Sequence, residues 1–183
     1  MFLNYHGSYI SAMQTWGKNN LNIAEINSSY FKTIVDNKNV KLNEALNNYH
    51  PKYLVVSIGI NTPLYMAKDN YISEIKKFIN YMKTSYSDTT IIFTSTLPVN
   101  TGTLDISLQK KINEYNYYLL ELCHEYKTNY INFSDVVRND LGYADTDYFE
   151  CDSETNCGFH LNSKGKQKYI DYIKHLDFGR KIK

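Results

Sequence analysis

The stretch "YLVVSIGIN", residues 53–61, decides how the rest of the chain is read. A strand with one face in water alternates apolar and polar residues; Tyr53, Leu54, Val55 and Val56 do not alternate. Such a run predicts a strand buried on both faces, the condition of a parallel sheet with helices on either side. Leu54, Val56 and Ile58 are expected in the core, together with Ile92 from a second strand.

Outward from this strand the chain predicts alternating elements. Towards the C-terminus, residues 70–86 place Ile72, Ile75, Phe78, Ile79 and Met82 three and four apart, an amphipathic helix. Beyond it come a strand over 90–98, a long helix over 104–127, a strand over 129–133 and a closing helix over 163–176. Towards the N-terminus, residues 40–49 read as a helix stopped by Pro51, residues 21–26 as a strand, 10–18 as a turn or helix, and 2–6 as the first strand. Strand and helix in alternation give an α/β fold, a three-layer α/β/α sandwich around a five-stranded parallel sheet. At 183 residues this is one domain over 1–183, with no internal repeat or linker.

Composition narrows the function classes. Hydrophobic content of 43% and charged content of 21% are those of a folded globular protein. A net charge of +1 without a basic block offers nucleic acid no electrostatic footprint. No apolar run reaches the roughly 18 residues that cross a membrane. The 18 tyrosines fit an Asn/Lys/Ile/Tyr-rich composition better than a dedicated aromatic binding face. The first ten residues lack the basic and long apolar regions of a signal peptide, and a strand so near residue 1 suits a domain of a longer chain.

Of the three cysteines, Cys123 lies in an apolar helical stretch and reads as a small buried hydrophobe. Cys151 and Cys157 flank "CDSETNC" and can close it as a disulfide in an oxidising compartment. Localisation stays open on that point: extracytoplasmic with the bridge, cytoplasmic without it. One cysteine pair and one nearby histidine fall short of a four-ligand zinc site. The first loop has no glycine-rich phosphate cradle, and no acidic cluster would hold a metal, so no cofactor is expected.

In an open α/β sheet the ligand crevice lies beyond the carboxyl ends of the strands. The loops there, at 6–9, 27–29, 59–63, 96–104 and 145–162, contain Ser8, Asn27, the run Gly59-Ile60-Asn61 and His160. A serine nucleophile needs a base for its proton, and an ester carbonyl under attack needs donors for its oxyanion. Asn61 can donate through its side-chain amide, beside backbone N–H groups after Ser8 and near Asn27. His6, His50, His124 and His175 lack such surroundings and read as structural or surface residues.

"VVSIGIN" (55–61) and "GFHLNSKGKQKYI" (158–170) resemble the SGNH, or GDSL-type, hydrolases. The resemblance implies a flavodoxin-like three-layer fold and hydrolysis or transfer of small acyl groups, commonly acetyl on carbohydrate. By position it makes Ser8 the nucleophile, Asn61 with Gly59 part of the oxyanion hole, Asn27 the occupant of the second oxyanion block, and His160 the base. The pattern is altered around them. Gly-Asp-Ser reads His6-Gly7-Ser8, the second-block glycine is Asn27, Gly-x-Asn-Asp ends in Thr62, and the aspartate of Asp-x-x-His is Cys157. Three groups could orient His160 in its place: the backbone carbonyl of Cys157, or the carboxylates of Asp152 and Glu154; failing these, the base is unsupported. The expected function is a serine esterase or O-acyltransferase on a small-molecule or glycan ester; the alternative is a catalytically impaired relative that binds a carbohydrate or a protein partner.

Overall fold

The computed structural model describes residues 2–3, 15–17, 21–33, 38–100, 106–153 and 156–175. Two short strands, β1 (Phe2–Leu3) and β2 (Thr15–Gly17), are followed by a 3-10 turn over Ile23–Glu25. Next come β3 (Tyr30–Thr33), β4 (Asn39–Lys41) and α1 (Leu42–Tyr49). The chain then alternates through β5 (Tyr53–Ser57), α2 (Asn61–Tyr65), α3 (Lys68–Ser85), β6 (Thr90–Thr94), α4 (Ile106–Glu125) and β7 (Asn129–Ile131). A hairpin of β8 (Phe149–Ser153) and β9 (Asn156–Leu161) leads into α5 (Ser163–His175).

Among the described residues, seven strands form the main sheet in the order β4-β3-β2-β1-β5-β6-β7. Neighbours from β2 across to β7 pair in parallel, while β3 and β4 extend one edge antiparallel. The expected α/β class is present; the expected five-stranded, wholly parallel sheet is not, because residues 30–41 add the antiparallel edge. The N-terminal part of the sheet also departs from expectation. The expected strand over 21–26 is a 3-10 turn, and β2 forms instead at Thr15–Gly17, inside the segment expected to be turn or helix. Leu21, Ile23 and Ile26 are apolar because they plug the core beside Phe31 and Ile75, and a turn satisfies that as well as a strand does. The segment 145–162, expected to be a loop, carries the β8/β9 hairpin.

The central strands behave as the apolar run requires. Leu54 and Val56 of β5, with Ile91 and Phe93 of β6, face a cluster completed by α1, α3 and α4 through residues such as Leu46, Phe78, Ile79 and Leu119. Val55 and Ile92, one residue out of step, face the opposite cluster with Phe133, Val137, Phe149, Tyr169 and Ile173. Period-two alternation thus feeds two cores from one strand, which is why β5 is apolar throughout. Leu54, Val56, Ile58 and Ile92 are all buried. No helix among the described residues is long and apolar enough to cross a membrane.

Candidate active site

β1 is the topological switch point. It pairs with β2 on one side and with β5 on the other, Phe2 beside Val55 and Leu3 beside Val56. All three strands run the same way, so their carboxyl ends lie at one end of the sheet, the end at which open α/β sheets place their ligands. Ser8 lies outside the described residues, five positions after Leu3.

Past β5, Ile58 is still buried, Gly59 is exposed, and α2 begins at Asn61. A Cβ built on Gly59 would meet nothing within 4 Å, so the fold itself does not demand glycine there; the open space lies in front of the backbone. Within α2, Thr62 and Pro63 are buried and Leu64 packs inward. Asn61, half-buried, and Tyr65, 80% exposed, remain on the outer side. The Thr62 hydroxyl, at the position of the family aspartate, is buried without a hydrogen-bond partner. Such an orphan costs about 1–3 kcal/mol.

Side chains of α4 hold the neighbouring strand end. Asn116 accepts from the Thr96 N–H (2.7 Å) through Oδ1 and donates to the Thr96 carbonyl (3.0 Å) through Nδ2, a side-chain copy of a strand pairing. Thr96 in turn donates its hydroxyl to the Ile58 carbonyl at 3.2 Å, tying the loop after β6 to the loop after β5. Gln109 accepts from the Val99 N–H at 2.8 Å. All these partners are buried, where a hydrogen bond is strongest and its loss most costly.

The hairpin delivers His160. Phe149 pairs with Leu161 and Cys151 with Cys157. Between those rungs β8 advances two residues and β9 four, so residues 158–160 form a bulge, the device by which a strand re-aims a side chain. His160 is half-buried in that bulge. Its neighbour Phe159 packs on a small cluster of Val99, Leu108 and Ile112, and Ile60 and Leu64 pack on the same cluster. The turn bearing Asn61 and the strand bearing His160 therefore share one apolar footing.

The chain beyond His160 is held equally firmly. Asn162 donates through Nδ2 to the carbonyls of Asp147 and Phe149, both at 3.0 Å, and its Oδ1 accepts from the Gly165 N–H at 2.9 Å as α5 starts. A Cβ on Gly165 would sit 2.2 Å from the Tyr148 carbonyl oxygen, so here only glycine fits. Farther along α5, buried Tyr169 donates to Thr94 Oγ1 of β6 at 3.3 Å, and burial pushes its phenol up to about 12.

Cys151 is disulfide-bonded and stands opposite Cys157 in the ladder. Cys123 is a free, buried thiol pushed up to about 11 by burial, as its apolar setting suggests. Asp152 contributes backbone to β8, and Glu154 lies outside the described residues. Asn27 is exposed in the turn after Ile23–Glu25; the strand on which its oxyanion role was placed is not formed. Sequence spacing gave no sign of the tethers from Asn116, Gln109 and Asn162, although polar residues on an otherwise apolar helix face, as in "EYNYYLLELC", are a usable signal.

An α/β domain with a switch point at its central strand, a Gly-x-Asn turn after the next strand and a histidine on a late hairpin has the frame of one large class of acyl-ester hydrolases. The chain belongs to the GDSL-like lipase/acylhydrolase family, whose model matches residues 14–168, including Gly59, Asn61 and His160. No curated protein matches the sequence. Among solved structures, a GDSL-like lipase from Bacteroides thetaiotaomicron is similar at a TM-score of 0.63 and 14% identity, covering 87% of this chain and 72% of that one. An acetylxylan esterase from Geobacillus stearothermophilus, solved as a catalytic mutant, is similar at 0.59 and 11% identity, covering 90% and 73%. A Streptococcus pneumonia protein described as a platelet activating factor is similar at 0.58 and 22% identity over 67% of this chain, which spans 58% of that protein. At these identities the structural likeness speaks for the fold.

Proposed function

We propose that the chain is a serine esterase, or an O-acyltransferase, acting on small acyl esters through an acyl-enzyme at Ser8, with acetyl on a glycan as the leading substrate. The observation that carries this reading is the shared footing: Ile60 and Leu64 beside Asn61, and Phe159 beside His160, pack on one cluster at the switch-point edge. The similarity to an acetylxylan esterase favours acetyl and glycan. In the first half-reaction Ser8 Oγ attacks the ester carbonyl while His160 takes its proton. The C–O bond to the alcohol then breaks, and the alcohol leaves with that proton. Asn61 Nδ2 and backbone N–H groups of the crevice, that of Gly59 among them, stabilise the oxyanion between the two events. Water, or a sugar hydroxyl in a transferase, attacks the acyl-enzyme with His160 again as base.

No aspartate stands three residues before His160, and the carbonyl of Cys157, Asp152 and Glu154 are the proposed candidates to hold its second ring nitrogen. Loss of a triad carboxylate costs ~10^4 in kcat in the serine-protease template, where the nucleophile is worth ~10^6, so a remnant of ~10^2 is the expected advantage of Ser8 here. Hydrolysis of an aryl acetate should therefore fall about 100-fold in Ser8→Ala and comparably in His160→Ala. Equal rates in wild type and Ser8→Ala would remove the esterase reading and leave a crevice that binds a carbohydrate or a protein partner.

A further inference from the structure

We infer that Tyr65 is the aromatic platform of a sugar-binding subsite one helical turn from the oxyanion turn, an inference that rests on the esterase reading and narrows its substrate to carbohydrate esters over long-chain lipid esters. α2 is only five residues long, Asn61–Tyr65, yet it is pinned. Thr62 and Pro63 are buried, Leu64 and the preceding Ile60 pack on the Val99 cluster, and the carbonyl of Met66 accepts a hydrogen bond from the buried Tyr115 hydroxyl. A helix held on one side by three successive residues presents its first and last residues on the other. Asn61 and Tyr65 are four apart, the spacing that puts two side chains on one helix face about 5–6 Å apart at Cβ.

Tyr65 is thus carried on a rigid base and not on a loose loop, and it is 80% exposed. Gly59, two residues before Asn61, leaves the adjoining surface without a side chain, and a Cβ there would meet nothing within 4 Å. Among the described residues, the chain that follows is hydrophilic or small where it is exposed, at Ala67, Lys68, Asp69 and Asn70. A long acyl chain needs a walled apolar trough to gain from burial. An open tyrosine ring offers instead one flat apolar face with a hydroxyl at its rim. That matches a pyranose ring, whose C–H face stacks on an aromatic while its hydroxyls stay in water.

The experiment compares wild type, Tyr65→Ala and Tyr65→Phe on three esters: ethyl acetate, which has no ring to stack; an O-acetylated cellotetraose; and ethyl octanoate. Tyr65→Ala is expected to raise KM for the acetylated tetrasaccharide roughly three- to tenfold, the range of one aromatic stack. Its kcat on that substrate and its kcat/KM on ethyl acetate should stay within about twofold of wild type. Tyr65→Phe should retain the wild-type KM. A uniform loss on all three esters, an unchanged KM for the sugar ester, or a loss confined to ethyl octanoate would overturn the assignment. A direct measurement separates this from the esterase reading: cellotetraose titrated into wild type and Tyr65→Ala by calorimetry. Weakened binding in the variant supports the subsite even if no ester is turned over; equal binding, or none to wild type, refutes it.

Discussion

Gly165 offers the sharpest test of how the fold holds its histidine. In Gly165→Ala the new methyl carbon would lie 2.2 Å from the Tyr148 carbonyl oxygen and 3.0 Å from Leu161 Cδ2, and the first of these is backbone. Ordinary contact needs more than an ångström of retreat. Either α5 lifts or the segment from Asp147 to Phe149 shifts, and that segment is what Asn162 holds with two hydrogen bonds through Nδ2 and a third from its N–H to the Tyr148 carbonyl at 2.9 Å. Overpacking of this kind costs about 1–3 kcal/mol, and each hydrogen bond weakened about 1 more. Against this, alanine in a helix is favoured over glycine by up to about 1 kcal/mol. The balance is a loss of about 2–4 kcal/mol, which for a domain of this size lowers Tm by roughly 4–16 °C. Thermal melting followed by circular dichroism reads it directly. If Gly165→Ala melts with the wild type or above it, helix propensity has won, and the close approach of α5 to Tyr148 is wrong.

Gly59→Ala should do the reverse at its site: nothing within 4 Å opposes the methyl, so stability should hold or rise by up to ~1 kcal/mol, while the proposed esterase turnover should fall at least tenfold if substrate approaches that backbone as proposed; unchanged turnover would move the substrate elsewhere. Tyr169 gives a pH signature. Its phenol is raised to about 12 against about 10 unfolded, so the native state keeps a proton that the unfolded chain has lost, and stability present below pH ~10 declines up to pH ~12 by at most about 1.4 kcal/mol per unit. Urea melts of wild type and Tyr169→Phe should therefore converge across that window; parallel curves would deny the buried phenol. A Cys151–Cys157 cross-link closes a short loop worth ~2 kcal/mol, so Cys151→Ser should unfold at correspondingly lower urea, and a mass spectrum after alkylation of the unreduced, denatured wild type should show one modified cysteine, not three.

How legible the fold was depends on where each element finds its partners. β5 declares itself because both its faces are buried, and α3 because Ile75, Phe78, Ile79 and Met82 repeat at helical spacing on one buried face. β3 carries a true alternation, with Phe31 and Thr33 buried between exposed Tyr30 and Lys32, but four residues in polar surroundings are too few to stand out. β8 and β9 have almost no apolar pattern; their pairing follows from the cross-strand rungs and from packing of Phe149 and Leu161 into the second core, neither of which is local. The site divides in the same way. The candidates Gly59, Asn61 and His160 stand out because the proposed chemistry limits which residue types can serve there. Asn116 and Gln109, which tether the strand ends, bond to backbone groups far off in sequence, so spacing alone says nothing of them.

The hairpin also changes how the missing aspartate is to be understood. In a regular strand, residues three apart point to opposite faces, so position 157 and His160 could not share a side. The two extra residues between the Cys151–Cys157 and Phe149–Leu161 rungs break that alternation, so a three-residue spacing no longer assigns the two positions to opposite faces. A bulge gives up ladder hydrogen bonds and would be a poor platform unless gripped at its ends. Here Phe159 anchors it on the Val99 cluster, Asn162 clamps the chain to Asp147 and Phe149 one residue past Leu161, and the disulfide at Cys151 lies on the rung before it. A triad carboxylate does two things: it places the imidazole and it stabilises the imidazolium. Packing and backbone clamps supply the first without any charge. The second is what an uncharged cysteine at 157 cannot supply; unless Asp152 or Glu154 supplies it, the proposed base is well placed and weak.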